Sequence, residues 1–235
     1  MFHFKHFNIL HEKSSMKVGT DAVLLGCLAN VSGSSALEIG CGCGVISLML
    51  AQRFPNLKIT AIDIHKSSIS EALENFQNSI WSDRLSVEHN SLQEFSKTCS
   101  TKFDTIVSNP PFFSKSLQSP DSDRTNARHT TTLPYGDFIF CSEKLLSLQG
   151  KFSIIIPTLE YANFRKYISQ SKLQIHLILR IFGADMENSK RMIIECGFEE
   201  KIAIEKSFFL HSKFNNYSDE YLELTKDFLY LNQVK

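Results

Sequence analysis

Ala36-Leu37-Glu38-Ile39-Gly40-Cys41-Gly42-Cys43-Gly44, running on into Val45-Ile46-Ser47-Leu48, decides the fold of this chain. An apolar run ends at Ile39, three alternating glycines follow, and the spacing from Val45 to Arg53 then reads as a helix. Glycine lets the backbone turn sharply and lets a ligand approach it closely. Strand, glycine turn and helix open a βαβ unit, and the rest of the chain repeats the alternation. Further strand candidates at Lys58 to Ile62, Leu85 to Glu88, Asp104 to Val107, Phe152 to Ile156, Ile175 to Ile181 and Met192 to Cys196 join Ala36 to Ile39. Helices fit at Val45 to Arg53, Ser67 to Asn78, Phe138 to Ser147 and Leu159 to Ser169, the second with Ile69, Ala72, Leu73 and Phe76 on one face. Beyond Cys196 come another strand-like run, Ile202 to Leu210, and a helix from Asp219 to Leu231. The pattern predicts a Rossmann-like α/β fold: a seven-stranded, mostly parallel sheet with helices on both faces. Ligands of such sheets bind beyond the carboxyl ends of the strands, and Gly44, Asp63, Asn90 and Asn109 all fall just past those ends.

With 235 residues, 43% of them hydrophobic, the chain can bury a full core, and residues 1–235 are expected to form one domain. No apolar stretch approaches the roughly 20 residues of a membrane span. The N-terminus, with His3, Lys5, His6 and His11, lacks the apolar stretch of a secretory signal, so a cytoplasmic protein without a membrane partner is expected. The six cysteines (Cys27, Cys41, Cys43, Cys99, Cys141, Cys196) form no Cys-x-x-Cys and no zinc-type spacing, and no metal is expected. With 25 basic and 25 acidic residues, any nucleic-acid surface must be local. The first twenty residues carry one such excess, with Lys5, Lys13 and Lys17 against Glu12. The polar run Ser114 to Thr132 is too long for an ordinary connection, which marks it as a functional loop or a surface insert.

The loop carries its own clue to its ligand. A pyrophosphate fingerprint needs Gly-x-Gly-x-x-Gly at a helix N-terminus, whereas here the third glycine arrives one residue early and Glu38 stands two residues before the first. A carboxylate at that place disfavours a pyrophosphate and favours a ligand with a cationic amino group, such as S-adenosylmethionine. Asp63 ends the second strand, about twenty residues after the loop, where a carboxylate accepts both hydroxyls of a ribose; capping the following helix is the alternative. Asn109-Pro110-Pro111-Phe112 follows the fourth strand. Alone it would be a strand-ending turn. Beside the glycine loop it fits methyl transfer to a planar nitrogen, whose delocalised lone pair makes it a poor nucleophile. An Asn side-chain carbonyl and a backbone carbonyl at a Pro-stiffened turn can take both N–H groups as that nitrogen becomes tetrahedral. The Phe supplies a flat stacking face.

The order Glu-x-Gly-x-Gly-x-Gly, acid, polar residue and Asn-Pro-Pro-Phe resembles the amino-methylating branch of the class I S-adenosylmethionine-dependent methyltransferases. More specific are Met16-Lys17-Val18-Gly19-Thr20-Asp21-Ala22-Val23-Leu24-Leu25-Gly26, Ala127-Arg128-His129-Thr130-Thr131-Thr132-Leu133, and the terminal Tyr217-Ser218 with Phe228-Leu229-Tyr230. These look like the bacterial tRNA1(Val) (adenine-37-N6) methyltransferase family, over nearly the whole chain. The resemblance implies the class I methyltransferase fold, S-adenosyl-L-methionine as cofactor and tRNA as partner. Methylation would fall on the adenine next to the anticodon. It assigns Asn109, Pro110, Pro111 and Phe112 to catalysis, and Thr20, Asp21, Glu38, Gly40, Gly42, Gly44, Asp63 and Asn90 to the cofactor, with Ser91 as the alternative to Asn90. Residues 1–30 would contribute to the cofactor and substrate face. Lys17, Phe113, Arg124 and Arg128 are candidates for the RNA, with Lys115 beside them, and His129 is a weaker candidate for a general base. A monomer is expected. The family often has Tyr where Phe112 stands, and Phe there also occurs in guanine-N2 methyltransferases of ribosomal RNA. Guanine-N2 methylation, glutamine-N5 methylation of a protein, a catalytically silent RNA-binding fold and an NAD-dependent oxidoreductase are the competing readings.

Overall fold

The computed structural model describes residues 1–14, 16–110, 134–184, 187–212 and 216–230. Two short strands, β1 (Phe2–His3) and β2 (Asn8–Ile9), pair as an antiparallel hairpin ahead of helix α1 (Thr20–Leu28). The chain then alternates through β3 (Ser35–Ile39), α2 (Val45–Arg53), β4 (Lys58–Asp63), α3 (Lys66–Gln77), β5 (Leu85–His89), α4 (Leu92–Thr98) and β6 (Phe103–Ser108). It continues with α5 (Tyr135–Leu145), β7 (Leu146–Pro157), α6 (Tyr161–Ile168), β8 (Gln174–Phe182), β9 (Ser189–Gly197), β10 (Ile204–Phe209) and α7 (Asp219–Thr225).

The main sheet is eight-stranded, in the order β10-β8-β9-β7-β6-β3-β4-β5. Only β9 runs against the rest, pairing antiparallel with β7 on one side and β8 on the other. Central strands such as β6 are buried along nearly their whole length, because helices cover both faces. Two apolar clusters result, one on each face. Ala36, Val45, Leu48, Phe76 and the hairpin residues Phe4, Phe7 and Ile9 share one, while Leu37, Ile39, Phe95, Phe138 and Phe164 share the other. After β3 the chain builds β4 and β5 to one side, then crosses to place β6 on the other side of β3. The order therefore reverses between β3 and β6, where sheets of this kind open a ligand crevice.

Three expectations need correction. The sheet has an eighth strand, β10, formed by the run after Cys196. The buried face of α3 is Ser68, Glu71, Ala72, Asn75 and Phe76, while Leu73 is 45% exposed. Polar Glu71 and Asn75 turn inward because the N-terminal segment supplies them with hydrogen-bond partners. Helix α7 stops at Thr225, short of the expected Leu231, and α4 and the hairpin are elements that apolar periodicity did not signal. Among the described residues, no helix is long and apolar enough to cross a membrane.

Candidate active site

Ile39 pairs with Ile62 on one side and with Ser108 on the other, so Gly40, Asp63 and Asn109 leave neighbouring strands at one edge of the sheet. Ser108 ties the two central strands together there, its Oγ donating to the Ile39 carbonyl at 2.8 Å. Gly40 N and Cys41 N both donate to the Ile62 carbonyl, at 2.9 and 3.1 Å, which folds the loop over the end of β4. Gly40, Gly42 and Gly44 have φ of 69°, 54° and 80°, in the left-handed region that side chains resist. They are not equivalent. A Cβ on Gly44 would stand 2.5 Å from Phe76 Cε1, so that glycine serves the packing of α3 against the loop. A Cβ on Gly40 or Gly42 would meet nothing within 4 Å, so their bare backbone faces open space, as a ligand cradle requires.

Two carboxylates flank this cradle. Glu38, only 1% exposed, points beneath the loop, where its Oε2 accepts from Ser47 N at 2.9 Å and from Ser47 Oγ. Burial pushes its carboxyl up to about 7; the Ser47 hydrogen bonds oppose the rise and the charge of Asp63 adds to it. Asp63 Oδ2 accepts from Gly42 N at 2.9 Å and Oδ1 from His65 N at 2.8 Å. Asp63 thus fixes the loop to the end of β4, and each oxygen keeps a lone pair for a ligand. It does not cap α3, whose N-cap is His65 with no side-chain bond. Asn90, half-buried, donates its N–H to the Asp63 carbonyl at 3.0 Å. Ser91 caps α4 instead, its Oγ accepting from Glu94 N at 3.2 Å, which leaves Asn90 as the polar side chain at this corner. Left-handed open backbone beside two carboxylates and an amide fits a ligand that carries a cationic amine, a ribose and a base.

The N-terminal segment is bonded to α3 beside the glycine loop. Glu71 accepts from Glu12 N, Lys13 N and Ser14 N at 2.7, 2.9 and 2.9 Å. One turn on, Asn75 exchanges hydrogen bonds with the Leu10 backbone, 2.8 Å in each direction, and donates to the Cys43 carbonyl of the glycine loop at 2.9 Å. Burial alone would raise the carboxyl of Glu71, but the hydrogen bonds from Lys13, Ser14 and Glu12 outweigh it and hold it below its ordinary range. These two residues were missed as site-builders; the available signal was a Glu and an Asn four apart, each directly before an apolar residue of one stripe, Ala72 and Phe76. Lys17 is exposed. Thr20 is the first residue of α1, with Gly19 as N-cap. Asp21, expected at the cofactor, has its carboxylate taken by Arg191, whose Nε donates to Oδ2 at 2.8 Å.

Asn109 and Pro110 follow β6 and are half-buried at the switch point. Pro111, Phe112, Phe113, Lys115, Arg124, Arg128 and His129 lie outside the described residues. A cavity of about 800 Å³, lined by Lys102, Glu143, Leu148 and Phe198 among others, opens at the opposite edge of the sheet and belongs to a different surface. No group of three His, Cys, Asp or Glu arranged to hold a metal occurs among the described residues.

Residues 9–158 match the family model of the methyltransferase small domain. The chain is similar to the tRNA1(Val) (adenine(37)-N6)-methyltransferase of Bacteroides thetaiotaomicron, at 38% identity over 97% of this chain and 96% of that one. It is also similar to the protein of the same name from Mannheimia succiniciproducens, at 33% identity over 98% and 94% of the two chains. Among solved structures it resembles a predicted O-methyltransferase from Agrobacterium tumefaciens, with a TM-score of 0.66 and 15% identity over 88% of this chain and 96% of that one. At that identity the likeness is one of fold, and it matches the class I methyltransferase sheet read from the sequence. The similarity to the two curated relatives runs the length of both partners and includes every element that builds the crevice, so the chain belongs to the tRNA1(Val) (adenine(37)-N6)-methyltransferase family.

Proposed function

We propose that this protein transfers the methyl group of S-adenosyl-L-methionine to N6 of adenine 37, next to the anticodon, in tRNA1(Val). The reading is carried by register: the Ile39 to Ser108 pairing brings the open glycine loop and Asn109 out of neighbouring strands where the sheet order reverses. When bound, the cofactor supplies an electrophilic methyl group. Gly40 and Gly42 would hold it by close backbone approach, with Gly44 fixing the loop. Asp63 would take its ribose hydroxyls on the lone pairs left by Gly42 N and His65 N, Asn90 would meet its adenine, and Thr20 would lie near its methionine end. Glu38, through Ser47, fixes the first turn of α2 under the loop, and a cationic amine bound nearby would favour its ionised form. Across the switch point, the Asn109 side-chain carbonyl and the Pro110 carbonyl accept the two N–H groups of the adenine amine. Accepting both favours the geometry in which the nitrogen lone pair leaves the ring π-system, which is stabilisation of the transition state. An exocyclic amine need not lose a proton before attack and gives it to solvent once the C–S bond has broken and the N–C bond has formed, so no general base is assigned, and no metal is required.

A base in a single-stranded loop is the least costly to unstack, and Phe112 and Phe113 offer faces to receive it. Lys17, Arg124 and Arg128 would hold phosphates on either side. Residues 1–235 would act as one domain and as a monomer, with residues 1–30 on the cofactor face. This is supported by the shared core of the hairpin and α2, and by the Glu71 and Asn75 bonds to that segment. An enzyme of tRNA maturation in a bacterial family would work in the cytoplasm. The test is incubation with labelled S-adenosylmethionine and total unmodified RNA, followed by mapping. Label is expected on adenine 37 of tRNA1(Val). Asn109→Ala should keep its cofactor affinity while methylating about 10²–10³-fold more slowly, as for loss of one transition-state acceptor. Label on a guanine of ribosomal RNA, or on a protein glutamine, overturns the substrate assignment.

A further inference from the structure

We propose that Arg191, oriented by Asp21, binds a backbone phosphate of the RNA beside the target base. The role presupposes the RNA substrate proposed above. The glycine loop, Asp63 and Asn90 lie at the ends of β3, β4 and β5, and Asn109 at the end of β6, so the substrate has the ends of β7, β9 and β8 left to it. Because β9 is antiparallel, its first residues stand at this same edge, with Arg191 opposite Pro157, the last residue of β7. Strands lie about 4.8 Å apart, which sets Arg191 roughly 10 Å across the sheet from the line of β6, the reach of a nucleotide next to the methylated one. Among the other described arginines, Arg165 is exposed on α6, away from β9 in the sequence, and three are engaged elsewhere. Arg53 Nη1 donates to the carbonyls of Gly26 and Ala29 at 2.8 and 3.0 Å, Arg84 Nη1 to those of Phe54 and Leu57 at 3.1 and 2.8 Å, and Arg180 pairs with Glu205 at 3.3 Å. Arg191 is arranged differently. Its Nε donates to Asp21 Oδ2 at 2.8 Å and its Nη1 to the Lys190 carbonyl at 3.1 Å, while Nη2 has no hydrogen bond among the described residues. The side chain is 41% exposed. A pair this exposed adds little to stability. What it does is hold a planar guanidinium through Nε and Nη1 and leave Nη2, with both its hydrogens, for a phosphate oxygen. Lys190 beside it is exposed and has no ion-pair partner among the described residues. Among the described residues, the acids on neighbouring segments besides Asp21 are Glu160, whose Oε2 accepts from Asn163 at 3.4 Å, and Glu187. Asp21 is thereby a positioning residue on the substrate side, and not a cofactor ligand.

The test is equilibrium binding of an unmodified tRNA1(Val) transcript over a salt series, with S-adenosylhomocysteine titrated in parallel to report folding and the cofactor site. Arg191→Ala should weaken tRNA binding roughly tenfold at low salt. Its slope of log affinity against log salt should shrink by about 0.7–0.9, the value of one phosphate contact. Arg191→Lys keeps the charge and should keep the slope. Asp21→Asn should raise the KM for tRNA several-fold while leaving S-adenosylhomocysteine affinity unchanged. Lys172→Ala, the same charge change at the opposite edge, should alter neither quantity. Wild-type slope and affinity in Arg191→Ala, an equal fall in Lys172→Ala, or lost cofactor affinity in Asp21→Asn would each overturn the assignment. If the wild type methylates no RNA adenine, the functional reading itself falls; if it does and Arg191→Ala binds normally, only this assignment falls.

Discussion

Burying Glu38 beneath a loop meant for a charged ligand makes stability depend on pH. Its carboxyl stands at about 7 in the folded chain against an ordinary 4.5, so between those values the folded protein holds a proton that the unfolded chain has lost. Its contribution to stability is therefore complete below 4.5 and is lost as pH rises through 7, a swing on the order of 3 kcal/mol at 1.36 kcal/mol per unit. Thermal melts of wild type and Glu38→Gln between pH 5 and 8 should diverge, the wild-type midpoint falling with pH relative to the variant. Parallel curves would mean that Glu38 is ionised throughout. The sequence made Glu38 conspicuous by its place before Gly40, but not its direction, since nothing in the string says that Ser47 meets it from the next helix. The same holds for the glycines: their spacing announced a ligand loop, while the division between Gly44, closed by Phe76, and the open Gly40 and Gly42 exists only once α3 is docked.

Helix α3 shows where periodicity reads an element correctly and its orientation wrongly. The helix lies at Lys66–Gln77, close to the expected Ser67 to Asn78, yet its buried stripe is rotated to include Glu71 and Asn75. Apolar spacing cannot anticipate this, because burial of a carboxylate is favourable only when specific donors meet it, and those donors lie some sixty residues earlier in the chain. Glu71→Ala would leave the N–H groups of Glu12, Lys13 and Ser14 without their acceptor. A loss on the order of 1–3 kcal/mol is expected, with faster amide exchange confined to that segment and a raised KM for the cofactor, since Asn75 on the same face holds the glycine loop through Cys43. Unchanged exchange at residues 12–14 would remove Glu71 as the anchor. The carboxyl is held low in the folded state, so its contribution is present above the ordinary glutamate range and is lost as pH falls through the folded value.

For the whole molecule, alternation of strands and helices was enough to place the crevice, because a parallel sheet with one order reversal has few ways to arrange its loops. The substrate half was less legible. Arg191 stands just ahead of the strand expected at Met192 to Cys196, and only the longer, antiparallel course of β9 carries it to the functional edge. Charge balance then constrains how this protein can hold tRNA. With 25 basic and 25 acidic residues there is no global attraction, and affinity must come from a few placed cations. Lys17, Lys190 and Arg191, with Arg124 and Arg128 of the long loop, are the candidates. At about 0.7–0.9 per contact, five of them cap the slope of log affinity against log salt near about 3.5–4.5 in magnitude. A wild-type slope between about 2 and 4.5, with weak binding of an unrelated RNA of equal length, is the expected result of filter-binding or calorimetric titration. A slope well above about 5 would require phosphate-binding cations beyond these five, and would move the RNA footprint off the rim formed by β6, β7 and β9.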